Sequence, residues 1–234
     1  MSQHGNTLPL LSERATLLVE YLVRYTLAVL PILERMFPEL SREALRKFLE
    51  RLAEDEWISK HQLPGTCGSY WALSARACHR LGLKRRTSAL RQGPLVKHCL
   101  QNLFFAANPN LRLLTSMECQ QTLPQIYRRG NSSQYFLDTE TTSDVRLGWL
   151  LIDDAKRPLR IYTKAKEIVV TRKANPALYE LCIAGRFRIA VATTTAAKAE
   201  KIRKLVAERP FRDVPVDIVP VADAFPLLLL APRN

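Results

Sequence analysis

Apolar residues recur at helical spacing in the first quarter of the chain. After Ser12, a suitable helix N-cap, the segment "LVEYLVRYTLAVL" has apolar positions three and four residues apart. The spacing predicts a helix there and a second, bent near Pro31, over residues 27–36. A third follows the N-cap Ser41, with one apolar stripe made of Leu45, Phe48, Leu49 and Leu52.

The pattern then changes to two short apolar-ended segments around a turn. "WISKHQLPGTCGSYWAL" (57–73) predicts a β-hairpin, and "SARACHRLGLKRR" predicts a helix after it. Helix, helix, helix, hairpin is the order of a winged helix. We therefore expect a winged helix-turn-helix DNA-binding domain over residues 8–85.

A polar, basic connector, "RRTSALRQGP" (85–94), marks the best domain boundary. Helical and strand patterns alternate beyond it, which predicts a mixed α/β domain over residues 92–234 with some parallel strand pairing. The whole chain is then of the α+β class. The strand candidates are "LRLLT", "SQYFLD", "VRLGWLLIDD", "FRIAVATT" and "PVDIVPV".

Charge is distributed unevenly along the 234 residues, whose net charge is +13. Residues 57–117 carry nine Lys or Arg and no acid, although about six of the 22 acids would be expected in a stretch of that length. Residues 155–234 carry sixteen Lys or Arg against seven acids. Basic surfaces without carboxylates suit a polyanion, because neutralised phosphates release counterions. Solubility is the competing explanation of such charge.

The cations of the first domain are the candidate DNA contacts. Those of the third helix are expected to face the major groove, and those of the hairpin and beyond to meet the backbone. The candidates are Arg42, Arg46, Lys47, Arg51, Lys60, Arg76, Arg80, Lys84, Arg85 and Arg86. A competing interpretation applies to the third helix, because Glu43–Lys47 and Arg46–Glu50 have the spacing of stabilising ion pairs.

The segment "ALRKFLERLAEDEWISKH", a polar turn and "YWALSARACHRLGL" together resemble the replication-relaxation family of plasmid and mobile-element proteins. In that family the wing strand ends in a Tyr-x-Leu-Thr-like step into a helix, which here is "YWALS" (70–74). The similarity covers roughly residues 10–85 and, more faintly, the C-terminal half. It implies a DNA-binding winged helix that acts in replication or its control, followed by a degenerate restriction-endonuclease-like domain.

Such nuclease domains use a strand-end acid and a D/E-x-K triplet to hold Mg²⁺ and activate water. Asp144, Asp154 and Lys156 are the residues that fit this pattern and are the candidate catalytic set. The alternative is that "DDAKRP", which is also typical of a polar turn after a strand, has no catalytic role. We expect the second alternative, in which Asp153 and Asp154 face solvent or cap the turn and no cofactor is bound.

The hydropathy of the chain and its cysteine content restrict the classes of protein to which it can belong. No stretch approaches the roughly 20 apolar residues of a membrane span, and the N-terminus lacks the pattern of a secretory signal. We therefore expect a cytoplasmic protein without a membrane partner. The five cysteines contain no C-x-x-C pair, and buried thiols are expected. Double-stranded DNA is the predicted partner, and a homodimer, an acidic protein or RNA remain alternatives.

Overall fold

A computed structural model describes residues 10–63, 68–84, 89–127, 134–139, 145–153, 157–211 and 214–221, apart from the Gln92 side chain. The described residues form a mixed α/β fold with helices and two β-sheets, which confirms the predicted class. The chain divides into two compact units between Cys99 and Leu100. Within the described ranges, no helix is long and apolar enough to cross a membrane.

The first unit begins with three helices. Its elements are α1 (Glu13–Tyr25), β1 (Leu27–Val29), α2 (Leu30–Met36), α3 (Arg42–Glu54), β2 (Ile58–Gln62), β3 (Ser69–Leu73) and α4 (Ala75–Arg80). The hydroxyls of Ser12, Ser41 and Ser74 accept the backbone N–H groups that open α1, α3 and α4. The first two of these caps were predicted from the sequence and are confirmed.

The three strands of this unit form an antiparallel sheet in the order β1-β3-β2. The predicted hairpin is present, with Ile58 opposite Leu73 and Gln62 opposite Ser69, and α3 contacts β2. One prediction was wrong: Leu27–Val29 is a strand rather than the start of a helix. It pairs with β3, and Pro31 lies in the first turn of α2, where its missing N–H is harmless.

The core of the first unit is built from the apolar stripes of its helices against the sheet. Leu45, Leu49 and Leu52 of α3 are buried there, as the sequence spacing predicted, whereas Phe48 is only half-buried. Between α2 and α3 the chain is anchored by Phe37, whose ring centroid lies 5.6 Å from that of Phe48 in an edge-to-face contact. This contact packs the turn against α3.

The helix α5 (Gln92–Ala107) contains the division between the two units. The second unit continues with β4 (Leu111–Leu113), α6 (Ser116–Thr122), β5 (Tyr135–Asp138), β6 (Arg146–Ile152), α7 (Pro158–Lys173), α8 (Pro176–Ile183), β7 (Phe187–Thr193), α9 (Ala196–Glu208) and β8 (Val216–Pro220). These strands form one sheet in the order β4-β5-β6-β7-β8. Strands β4 to β6 are antiparallel and β6 to β8 parallel, so the predicted parallel pairing is confirmed.

Helices cover both faces of this sheet. One face carries Trp149 and Ile189 into a core completed by α7, α8 and α9. On the other face, Phe136 meets the rings of Phe104 and Phe105 of α5 at 6.4 and 6.0 Å between centroids. The Phe136 ring lies across Gly148 of β6, where an added Cβ would fall 2.0 Å from a ring carbon. Only glycine leaves room for this ring.

Candidate nucleic-acid interface

The four predicted cations of α3 are all exposed, but three of them are ion-paired. Arg46 lies 3.7 Å from Glu50 and Lys47 lies 2.9 Å from Glu43, the two pairs expected from sequence spacing. Arg42 reaches back to Glu34 of α2 at 3.2 Å, a contact that the spacing within α3 did not indicate. The exposed side of α3 is therefore mixed in charge.

Lys60 projects from β2 at the centre of the hairpin, opposite Trp71 of β3, and its side chain is exposed. The next residue, His61, stacks on Tyr70 with ring centroids 5.0 Å apart. The Tyr70 hydroxyl in turn accepts the backbone N–H of Leu90 at 2.8 Å. Burial lowers the pKa of His61 and raises that of Tyr70, so both rings favour their neutral forms at this position. The ring stack and the hydrogen bond thus hold the hairpin in place next to the exposed Lys60.

The junction between α3 and α4 is held by hydrogen bonds around Glu56, which has a positive φ of 57°. The Ser74 hydroxyl donates to the Glu56 carbonyl, and Arg76 forms an ion pair with the Glu56 carboxylate. The guanidinium carbon of Arg80 lies 5.2 Å from the centroid of the Trp57 ring. Arg76 and Arg80 therefore have structural partners in addition to any role in binding.

Of the ten predicted DNA contacts, three have no ion-pairing partner among the described residues: Arg51, Lys60 and Lys84. All three side chains are exposed. Arg85 and Arg86 lie outside the described residues. The α3 helix, the hairpin and the chain after α4 each contribute one of the three, so the unpaired charge is spread over the unit.

The candidate catalytic residues Asp144, Asp154 and Lys156 also lie outside the described residues. The neighbouring Asp153, directly after β6, is described, and its side chain is fully buried with Oδ2 2.6 Å from Nζ of Lys198. The expectation that Asp153 faces solvent or caps the turn was wrong. A long-range partner 45 residues along the chain, on the first turn of α9, holds it inside the protein.

The sequence patterns did not predict the contact between Asp153 and Lys198. The Thr195 hydroxyl accepts the backbone N–H of Lys198 at 3.2 Å and so caps α9. Two features of the sequence could have indicated this contact: an acid at the end of one strand and a lysine in the first turn of a later helix. Parallel strands end at one edge of a sheet, which brings such residues together.

A second buried acid, Asp138, lies at the end of β5. It lies 3.0 Å from Arg188 of β7, which also contacts Asp217 of β8 at 3.1 Å. Asp138 is opposite Arg146 at the start of β6, whereas Asp153 follows the end of that strand. The length of β6 separates them by roughly 20 Å. In the described part of the chain, no three His, Cys, Asp or Glu side chains could hold a metal.

Comparison of the chain with family models, curated proteins and solved structures finds no match.

Proposed function

We propose that the N-terminal unit binds double-stranded DNA as a winged helix, with α3 as the recognition helix and the β2–β3 hairpin as the wing. The observation that carries the proposal is the order α1-β1-α2-α3-β2-β3 together with the strand order β1-β3-β2. This arrangement sets an exposed helix beside a hairpin. A helix of 13 residues is about 20 Å long and fits into a major groove.

In this proposal the unpaired cations supply most of the electrostatic attraction. Lys60 contacts the DNA backbone from the wing. Lys84, which follows α4, and Arg51 of α3 also contact phosphates. The ion-paired Arg42, Arg46 and Lys47 face the groove. Their pairs are exposed, and such pairs contribute only about 0–1 kcal/mol. A phosphate or a base edge can therefore replace the carboxylate at little energetic cost.

The resemblance to replication-relaxation proteins supplies the biological setting of the proposal. Replication of a plasmid or mobile element, or its control, requires a protein that recognises a DNA site. The acid-free stretch over residues 57–117, which includes the hairpin and α4, supports duplex DNA as the partner.

The test is a fluorescence anisotropy titration of the full chain with labelled duplex DNA at several salt concentrations. We expect binding whose log Kd changes linearly with log salt, because phosphate neutralisation releases counterions. No binding at low salt, or an affinity indifferent to salt, would overturn the proposal. Unlabelled RNA is the competitor, and preferential displacement by RNA would assign the unit to RNA instead.

The nuclease alternative is tested in the same preparation. Supercoiled DNA is incubated with the protein and Mg²⁺ or Mn²⁺, and we expect it to stay intact. Cleavage that is lost in the Asp154→Ala variant would show that the chain is an enzyme.

A further inference from the structure

The first half of α7 borders an open groove of about 440 Å³ on the C-terminal unit. We refer to it as the α7 groove, and it is lined by Arg157, Leu159, Arg160, Thr163, Lys164 and Glu167. Arg160, Lys164 and Glu167 lie at i, i+4 and i+7 and so share one side of the helix. Positions 160 and 167 are about 10 Å apart along its axis, at 1.5 Å per residue. The groove is therefore long enough for an extended ligand.

Positive charge dominates this groove. Arg157 and Arg160 are exposed, and neither side chain has an ion-pairing partner in the parts of the chain that the structure describes. Lys164 adds a third cation, and Glu167 is the acid among the six lining residues. Two exposed arginines without a carboxylate partner among the described residues are available to an anion.

Other cations of the same unit are used differently. Arg188 contacts Asp138 and Asp217, and Lys198 contacts Asp153, at distances between 2.6 and 3.1 Å. These cations stabilise the fold, since the buried Asp138 and Asp153 would otherwise lack a counter-charge. Arg157 and Arg160 pair with no acid in the described ranges, so stabilisation of the fold by an ion pair does not explain them there.

The neighbouring helix also carries exposed cations. Helix α9 contacts α7, and its Lys201 and Lys204 are exposed with no ion-pairing partner among the described side chains. Several exposed cations on two packed helices suit a chain of phosphates better than a single small anion. Arginine also matches phosphate geometry, because its planar guanidinium donates two parallel hydrogen bonds.

We propose that the α7 groove binds the phosphate backbone of nucleic acid, as a second contact surface independent of the winged helix. Arg157 and Arg160 donate to phosphate oxygens, and the exposed Lys201 and Lys204 of α9 add to the positive charge that attracts the strand. A membrane surface fits less well, because the apolar side of α7 is buried in the core through Ile161, Ala165 and Val169.

The test compares two double variants of the full chain that lose the same charge. Arg157→Gln/Arg160→Gln removes the two groove arginines. Arg146→Gln/Lys166→Gln is the control, because both of its residues are exposed, lie outside the groove lining and have no described ion-pairing partner. Kd is measured by anisotropy for labelled duplex and for single-stranded DNA across a salt series. Far-ultraviolet circular dichroism and thermal melting check that each variant folds.

We expect the groove variant to weaken binding about tenfold at low salt and to reduce the slope of log Kd against log salt by about 1.8, which is two lost phosphate contacts. The control should keep most of the wild-type slope. Glu167→Gln should tighten binding, since it removes the negative charge from the groove. Equal effects of the two double variants would overturn the inference, as would unchanged DNA binding by the groove variant.

Failure of the winged-helix proposal is distinguishable from failure of this inference. If substitutions in the hairpin leave DNA binding unchanged while the groove variant weakens it, the second surface stands alone. If the reverse holds, the groove is not a nucleic-acid site.

Discussion

Lys198 Nζ lies 2.6 Å from Oδ2 of Asp153, and this contact joins the end of β6 to the first turn of α9. The Asp153 side chain is fully buried and that of Lys198 is 17% exposed. A buried carboxylate without a counter-charge is strongly unfavourable, so the lysine is needed to keep the acid in place. The pair fixes the position of the chain where β6 ends.

Substituting Lys198 by Met should lower the free energy of unfolding by roughly 3–5 kcal/mol, the usual loss when one partner of a buried ion pair is removed. The measurement is urea denaturation followed by circular dichroism. The Asp153→Asn/Lys198→Met double variant should regain part of the loss, because no charge is then left buried. Lys201→Met is the control and should change stability by less than about 0.5 kcal/mol. A Lys198→Met loss no larger than this control would contradict the structural role of the pair.

Gly148→Ala should destabilise the C-terminal unit by roughly 1–3 kcal/mol, as overpacking of a core does. The added Cβ would lie 2.0 to 2.5 Å from three carbons of the Phe136 ring, which is enclosed by α5 and cannot move freely. Denaturation in urea measures the change. In the Gly93→Ala control the new Cβ meets no heavy atom within 4 Å, so stability should stay the same or rise by up to about 1 kcal/mol. Equal midpoints for the two variants would show that the ring is not confined.

Stability should fall on acidification because of His61. Burial lowers the pKa of this side chain in the folded protein below its unfolded value of about 6.5. Below that pH the unfolded chain binds more protons than the folded one, so the His61 contribution is complete above about pH 6.5 and is lost as the pH falls. The urea midpoint is compared at about pH 7.5 and 5.5 for the wild type and His61→Gln. The variant should show the smaller difference; a difference as large as in the wild type would rule out this role.

Two cysteines should resist alkylation in the native protein. Burial raises the pKa of the Cys99 thiol to about 12, and burial with the nearby Glu118 carboxylate raises that of Cys119 to about 11. The reactive thiolate is therefore scarce at neutral pH. Iodoacetamide labelling followed by peptide mass spectrometry should show both cysteines protected in buffer and labelled in urea. Equal labelling in both conditions would mean that the two thiols are accessible.

The sequence predicted most elements of the fold because local patterns determine them. Ser41 and the apolar stripe after it identify α3, and the apolar run "FRIAVATT" identifies β7. The strand β1 was not predicted, because three apolar residues between two helices carry no periodicity. Its pairing with β3, 41 to 45 residues away in the chain, decides its conformation.

The candidate sites show the same division between local and distant contacts. The two ion pairs within α3 followed from their spacing of four residues. The Arg42–Glu34 pair depends on the turn between two helices, and the Lys198–Asp153 pair on how the sheet and α9 are placed. A rule based on sequence spacing cannot identify such partners. Charge composition located a basic region around the hairpin, but only the structure shows which of its described cations have no carboxylate as an ion-pairing partner.

The most direct test of the DNA-binding account removes one unpaired cation from α3 and one from the hairpin. Arg51→Gln and Lys60→Gln should each reduce the salt slope of duplex binding by about 0.9, and the double variant by about 1.8, because each side chain neutralises one phosphate. Arg14→Gln is the control, since Arg14 is exposed on α1, outside both the α3 helix and the hairpin. We expect the control to bind like the wild type. A double variant that also binds like the wild type would contradict the claim that α3 and the hairpin contact DNA together.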